Sequence, residues 1–299
     1  MINQATKDEF KRHLGQTRFG YGAYAVIDFE SEQYETYQLI RHQHESNLKI
    51  WFDLASVTKA LTLAGAWLAK PEIFTNEMIL LLEHRAGLPF WGRLSKDSWK
   101  QTVSQYTPIE SETEYSDFSA LRLSLEIQEK VGDLYSVTDA YRDSEVKFWK
   151  QLPEHAFSPV TGWRKGKLIS GEVHDDNCFV IGEKVGHAGL FGTIEGLSKT
   201  LLNYNRELGL ISKMTPLLKA KHSRFVRGFD TVQNLETTLA GPGCSELTFG
   251  HTGFTGTSFW IDTAKNKGWI LLTNGSYPYW YDRLKLNALR RSLGQFSWL

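Results

Sequence analysis

The sequence predicts an α+β protein: one antiparallel sheet built from strands near both termini and flanked by helices, with a mainly helical lobe inserted between. Three observations predict it. β-rich runs stand early, at "YGAYAVIDF" and "YETYQLI", and again late, at "LTFGHTG", "TSFWIDT" and "KGWILLTN". Between them lie amphipathic segments of helical period. The short links "ESEQ" and "DTAKNKG" have the composition of hairpin turns, which join antiparallel neighbours. Residues 1–70 and 193–299 are therefore assigned to an α/β lobe carrying the sheet, residues 71–192 to a helical and loop-rich lobe, and a cleft is expected where they meet.

In chain order, residues 7–14 predict a short amphipathic helix, followed by the "YGAYAVIDF" and "YETYQLI" hairpin. "NLKIWFDLAS" predicts a short strand and a turn. From Ser56 to Lys70, "SVTKALTLAGAWLAK" is apolar nearly all round, the pattern of a helix buried in the middle of a protein. "NEMILLLEHRAGLP" predicts a helix stopped by Gly-Leu-Pro. "SALRLSLEIQEKVG" predicts a helix with Leu121, Leu125 and Val131 on its apolar positions and Gly132 as its stop. "VTDAYRDSEVKFWKQL" predicts a further helix, and a loop-rich stretch runs from about Pro153 to Gly192. "LSKTLLNYNRELGL" is helical again. "SRFVRGFD" joins the late strands, and "DRLKLNALRRSLGQF" closes the chain as an amphipathic helix.

Composition narrows the function. A formal net charge of zero gives no footprint for nucleic acid or an anionic membrane. Ten Trp and 13% aromatic residues predict large buried rings or an aromatic-lined cleft. Cys178 and Cys244 form no C-x-x-C, so they read as two buried free thiols rather than a disulfide framework or a zinc site. No metal or cofactor is called for. "MINQATKDEFKRHLGQT" lacks an apolar h-region, and no run of membrane-spanning length exists, so the expected location is the cytoplasm.

The chemistry concentrates in three segments. In "FDLASVTKALT", Ser56 and Lys59 stand three residues apart, on one face of a helix if the stretch is helical. Serine needs a base, and a buried lysine serves when desolvation lowers its pKa. Burial on an apolar helix predicts such a lowering for Lys59. The free N–H groups at the helix start offer an oxyanion site. In "YSDFSALRL", Tyr115 and Asp117 are placed for a loop facing a cleft, where a phenol beside an amine shares its proton; a simple helix cap is the alternative. In "FGHTGFTGTSFWID", interleaved glycines allow a ligand or a second backbone to approach the strand.

Taken in the order S-x-x-K, Y-S-D, H-T-G, these segments resemble the serine β-lactamase and penicillin-binding-protein superfamily, in its class C and esterase-like branch. "LLEHRAGLP", "GEVHDDNCFVIGEKVGHAGLFGT" and "FGHTGFTGTSFWIDT … WILLTN" resemble further motifs of that branch, and the likeness runs from about residue 20 to 295. The resemblance implies a β-lactamase/transpeptidase-like fold and a serine hydrolase forming an acyl-enzyme on a small ester or amide. It implies Ser56 as nucleophile, Lys59 as its base or proton shuttle, Tyr115 as the relay to the leaving group, and the N–H groups of Ser56 and Phe254 as oxyanion hole. It places Asp117, His251, Thr252 and Gly253 along the substrate. The alternatives are a D-amino-acid-directed amidase or carboxypeptidase, a β-lactamase, or a non-catalytic binding protein of the same fold.

Two positions depart from the family pattern. Asp117 stands where many members carry Asn, and a carboxylate cannot donate to a substrate amide. His251 stands where Lys is usual. This removes a fixed positive charge, which argues against a carboxylate-bearing β-lactam, and a histidine titrating near neutrality predicts acid-favoured activity. Of the other histidines, His84 is expected at a helix terminus, His187 in a packing role, His42 and His44 exposed on a strand, and His174–Asp175 too sparse for a metal site.

Overall fold

A computed structural model describes residues 2–41 and 44–299; His42 lies outside the described residues. Its centre is an eight-stranded antiparallel sheet. The order across it is His44–Glu45, Gln33–Ile40, Tyr21–Asp28, Lys267–Thr273, Ser258–Asp262, Thr248–Thr252, Phe229–Thr231 and Phe225–Val226. The early hairpin thus docks directly on the last strand, with Tyr24 opposite Leu271.

The period of two in these strands builds two cores. Tyr24, Trp269 and Leu271 point to one face, where the helices Gln4–Gly15 and Leu284–Trp298 cover them with Phe10, Leu14, Leu289 and Leu293. Ala23, Ala25, Ile270 and Leu272 point to the other face, against the larger core that includes the central helix. Because both faces are buried, "WILLT" reads as a continuous apolar run rather than an alternating one.

The central helix runs from Val57 to Ala69, with a π-turn at Ala60–Ala64. All five residues of that turn are buried, so the helix is held by its surroundings rather than by an amphipathic face. The helix Asp117–Val131 ends at Gly132, whose φ of 83° is the left-handed stop expected there.

Three expectations fail. "VTDAYRDSEVKFWKQL" is not a helix: only Ser136–Asp139 is helical, and Val146–Phe148 is a strand. Asp143 turns the chain by accepting from Glu145 N–H, and Val146 and Phe148 bury against Leu190–Gly192, a partner remote in sequence. "NEMILLLEHRAGLP" stops before its Gly-Leu-Pro. The helix ends at Leu82 and the chain turns left-handed at His84, φ 55°. The stretch read as loops holds the hairpin Gly162–Arg164 and Lys167–Ile169 and the helix Asp176–Ile181. A helix at Leu210–Lys219, carrying Pro216, was not signalled.

Candidate active site

A short strand, Phe52–Asp53, pairs with Leu190–Gly192 and leads into the central helix. Between them Ala55 takes φ 46°, a left-handed conformation that a non-glycine residue holds only where its surroundings over-determine it. This turn delivers Ser56 to the helix N-terminus with its side chain uncommitted to capping. One turn on, Lys59 is 3% exposed. Its Nζ donates to Ser56 Oγ at 3.1 Å and to the His187 carbonyl at 2.8 Å. Asp117 Oδ1 lies 2.8 Å from the same nitrogen, an ion pair set off the hydrogen-bond axis. Tyr115 brings its ring to 5.1 Å from the ammonium, and its hydroxyl oxygen is buried without a hydrogen bond among the described residues.

This geometry reverses the expected shift of Lys59. Burial pulls its pKa down, but the Asp117 carboxylate and Tyr115 together outweigh burial, so the resting amine is charged and its pKa lies above the ordinary lysine value. Sequence periodicity exposed the burial and could not expose the counter-ion. Burial likewise pushes the Tyr115 phenol up, with Lys59 pulling the other way.

The strand Thr248–Thr252 runs along the opposite wall. His251 is 2% exposed, and its Nδ1 bonds the Thr252 carbonyl at 2.9 Å. Burial and then the Lys59 charge push the imidazole down to about 3, well below the near-neutral titration expected of a histidine. Gly253 follows, where a Cβ would overlap Thr257 Oγ1 and the Leu54 carbonyl; only glycine lets the strand lie this close to the Ser56 turn. Neither Ser56 N–H nor Phe254 N–H has a partner among the described residues.

His84 packs its ring on Tyr115, with centroids 4.6 Å apart, and its Nδ1 accepts from Ser116 N–H, so it steadies the Tyr115 loop. His187 binds Asp175 Oδ1 at 2.9 Å while its carbonyl holds Lys59. His174 stacks on Phe254 at 5.2 Å. His44 lies on a strand and is exposed, and both cysteines are buried and free.

Ser56, Tyr115, Asp117, His174, His251 and Phe254 border one cavity of about 810 Å³. Phe90, Trp91, Trp280 and Tyr281 also line it and, like Phe254, are exposed. Sequence reasoning missed Arg283 and Arg290, which also line it and have no carboxylate partner among the described residues. Arg283 donates to the Phe254 carbonyl and keeps Nη2 buried without a partner. Arg290 bonds the Thr257 carbonyl and Asn287, and burial followed by the Arg283 charge lowers it to about 9. Arg283 and Arg290 thus bring cationic groups to a cavity that Asp117, Asp175, Asp176 and Asp230 also line. Their signal, R-x-x-x-N-x-x-R in the final helix, is a weak one until the fold turns that helix toward the cavity.

The sheet, the buried helix and the serine–lysine pair at its start define the beta-lactamase fold. Solved structures agree: a beta-lactamase from Mycobacterium bovis matches with TM-score 0.60 at 16% identity, over 96% of this chain and 99% of that one. A protein described as SurE matches with TM-score 0.67 at 15% identity, over 99% of this chain and 76% of that one. The chain belongs to the beta-lactamase family of hydrolases, whose model matches residues 78–292. It is also similar to an N-acetylmuramyl-L-alanine amidase of Bacillus subtilis, 27% identical over 82% of this chain and 72% of that protein.

Asp117→Asn gives a signed test of the ion pair. Removing the carboxylate lowers the Lys59 pKa. A rate that needs the neutral amine then reaches its plateau at lower pH, and the variant outpaces the wild type near neutrality. A kcat/KM profile from pH 5 to 10 with an unmoved acid limb contradicts the assignment.

Proposed function

We propose that the protein is a serine hydrolase that cleaves a small ester or amide through an acyl-enzyme. The observation that carries this reading is the buried Lys59 amine 3.1 Å from the Oγ of Ser56, a residue that lines the cavity. Lys59, once neutral, takes the Ser56 proton as Oγ bonds the substrate carbonyl carbon. Tyr115 passes its proton to the leaving group as the old bond breaks and regains one from Lys59. Water then attacks the acyl-enzyme along the reverse route. The free N–H groups of Ser56 and Phe254 are suited to the developing oxyanion. Asp117, Thr252 and Gly253 flank the bound chain, and neutral His251 contributes shape rather than charge.

Arg283, with its Nη2 left unpartnered, and the neighbouring charge of Arg290 favour a substrate with an anionic group such as a carboxylate. The amidase likeness favours an amide over an ester. That combination also suits the D-amino-acid-directed reading, whose peptides end in a carboxylate.

The test has two arms. A fluorophosphonate should add one mass increment, on Ser56; no adduct removes the acyl-enzyme reading and leaves a binding protein. Among paired p-nitroanilides or p-nitrophenyl esters with and without a terminal carboxylate, the carboxylated member should have a KM lower by about tenfold or more, the size of a charge-assisted hydrogen bond. Arg290→Ala should erase that difference, and equal KM values in the wild type would refute carboxylate selection.

A further inference from the structure

The cleft's two free N–H groups, on Ser56 and Phe254, come from segments almost two hundred residues apart in the chain. One buried side chain reaches toward both. Asp53 is 1% exposed and ends the strand ahead of the Ser56 turn. Its Oδ1 accepts from Ala55 N–H at 2.8 Å, across the left-handed residue that aims Ser56. Its Oδ2 accepts from His174 N–H at 2.6 Å, and the His174 ring is the surface on which Phe254 stacks. The Asp53 carbonyl accepts from Thr255 Oγ1 at 2.6 Å, next to Phe254 in the chain. The following carbonyl, of Leu54, accepts from Thr257 Oγ1 at 3.0 Å.

From this juxtaposition we infer that Asp53 is a positioning residue that sets the spacing of the Ser56 and Phe254 N–H groups, and so tunes the oxyanion hole without touching substrate. The inference rests on the acyl-enzyme reading of the same cleft. The chemistry requires a carboxylate. Both oxygens accept from backbone N–H groups, and a side-chain amide has only one acceptor oxygen, so its NH2 would face an N–H. Burial pushes the Asp53 carboxyl up to about 7. The His174 and Ala55 N–H bonds oppose that rise, and of the charged neighbours Asp175 adds to it while Arg164 opposes it. A buried acid kept against such a cost is expected to serve a purpose beyond packing.

The experiment compares wild type, Asp53→Asn and Thr255→Val. Thr255→Val removes only the tether to the Asp53 carbonyl and keeps the side-chain volume, so the test survives if Asp53→Asn does not fold. Each protein is assayed with one ester and its thionoester, whose C=S sulfur accepts these hydrogen bonds poorly. Wild type should prefer the oxo-ester strongly. Asp53→Asn should lose kcat at least about thirtyfold with KM within threefold, and its oxo-to-thiono rate ratio should shrink about tenfold or more, as loss of oxyanion-hole contacts predicts. Thr255→Val should move both values the same way by less. A merely structural role lowers both rates in parallel and keeps the ratio, which overturns the inference, as does an unchanged kcat. Fluorophosphonate labelling separates the two levels: wild type without an adduct on Ser56 overturns the proposed function and this inference with it. An adduct with an unchanged ratio in both variants overturns this inference alone.

Discussion

Ser56→Ala is expected to fold normally and to lose at least about a thousandfold in turnover. The side chain makes no capping bond in its own helix, so removing the hydroxyl breaks no structural tie except the one to Lys59. The turn that presents residue 56 is held from outside it, by Asp53 and by the Leu54 carbonyl. A melting temperature close to wild type alongside vanished turnover is the expected pair of results. The fluorophosphonate adduct should vanish with the hydroxyl. Sequence offers no competing G-x-S-x-G elbow, so persistent hydrolysis would send the search to an unmarked serine.

Lys59→Arg and Lys59→Ala are each expected to slow acylation by at least about a hundredfold, the size associated with removing a general base. The two variants fail for different reasons. Alanine removes the amine and leaves Asp117 without its counter-charge in a partly buried site. Arginine keeps the charge and the ion pair but cannot give up a proton at accessible pH, and it brings a wider head into a site where lysine is 3% exposed. Arginine is therefore the sharper probe. Because Asp117 holds the resting amine charged, wild-type acylation should rise with pH over the range where lysine deprotonates, and that rise should be absent in both variants. Acylation of Lys59→Arg at nearly the wild-type rate would reduce Lys59 to an electrostatic or structural role.

Both expectations began in the sequence, and the structure altered the second. Periodicity placed Lys59 on an all-apolar helix, and burial followed from that alone. Its protonation state depends on Asp117, which is fifty-eight positions away and reaches the amine only because the helix Asp117–Val131 packs with its first turn toward the cleft. His251 teaches the same lesson in the opposite direction. A histidine at that motif position suggested a group titrating near neutrality, whereas the strand buries the ring and its Nδ1 bonds the Thr252 carbonyl.

What the sequence determined by itself is what short-range physics encodes. The β-rich runs "YGAYAVIDF" and "KGWILLTN" placed strands of one sheet at both ends of the chain. The three-residue spacing of Ser56 and Lys59 put both on one helical face, where the structure finds them in contact. Gly132 marked a helix end through its freedom at positive φ. The tertiary structure alone decided the rest. Val146–Phe148 became a strand because Leu190–Gly192 offered it unpaired backbone groups, overriding a helical pattern. Arg283 and Arg290 became cleft residues because the final helix lies across the sheet with its first turns at the cavity. Asp53 looked like a residue in a lead-in strand until His174, Ala55 and Thr255 converged on it. Spacing along a helix or strand is fixed by backbone geometry and survives in one dimension. Charge partners, desolvation and hydrogen bonds between remote segments depend on distances that exist only after the chain has packed.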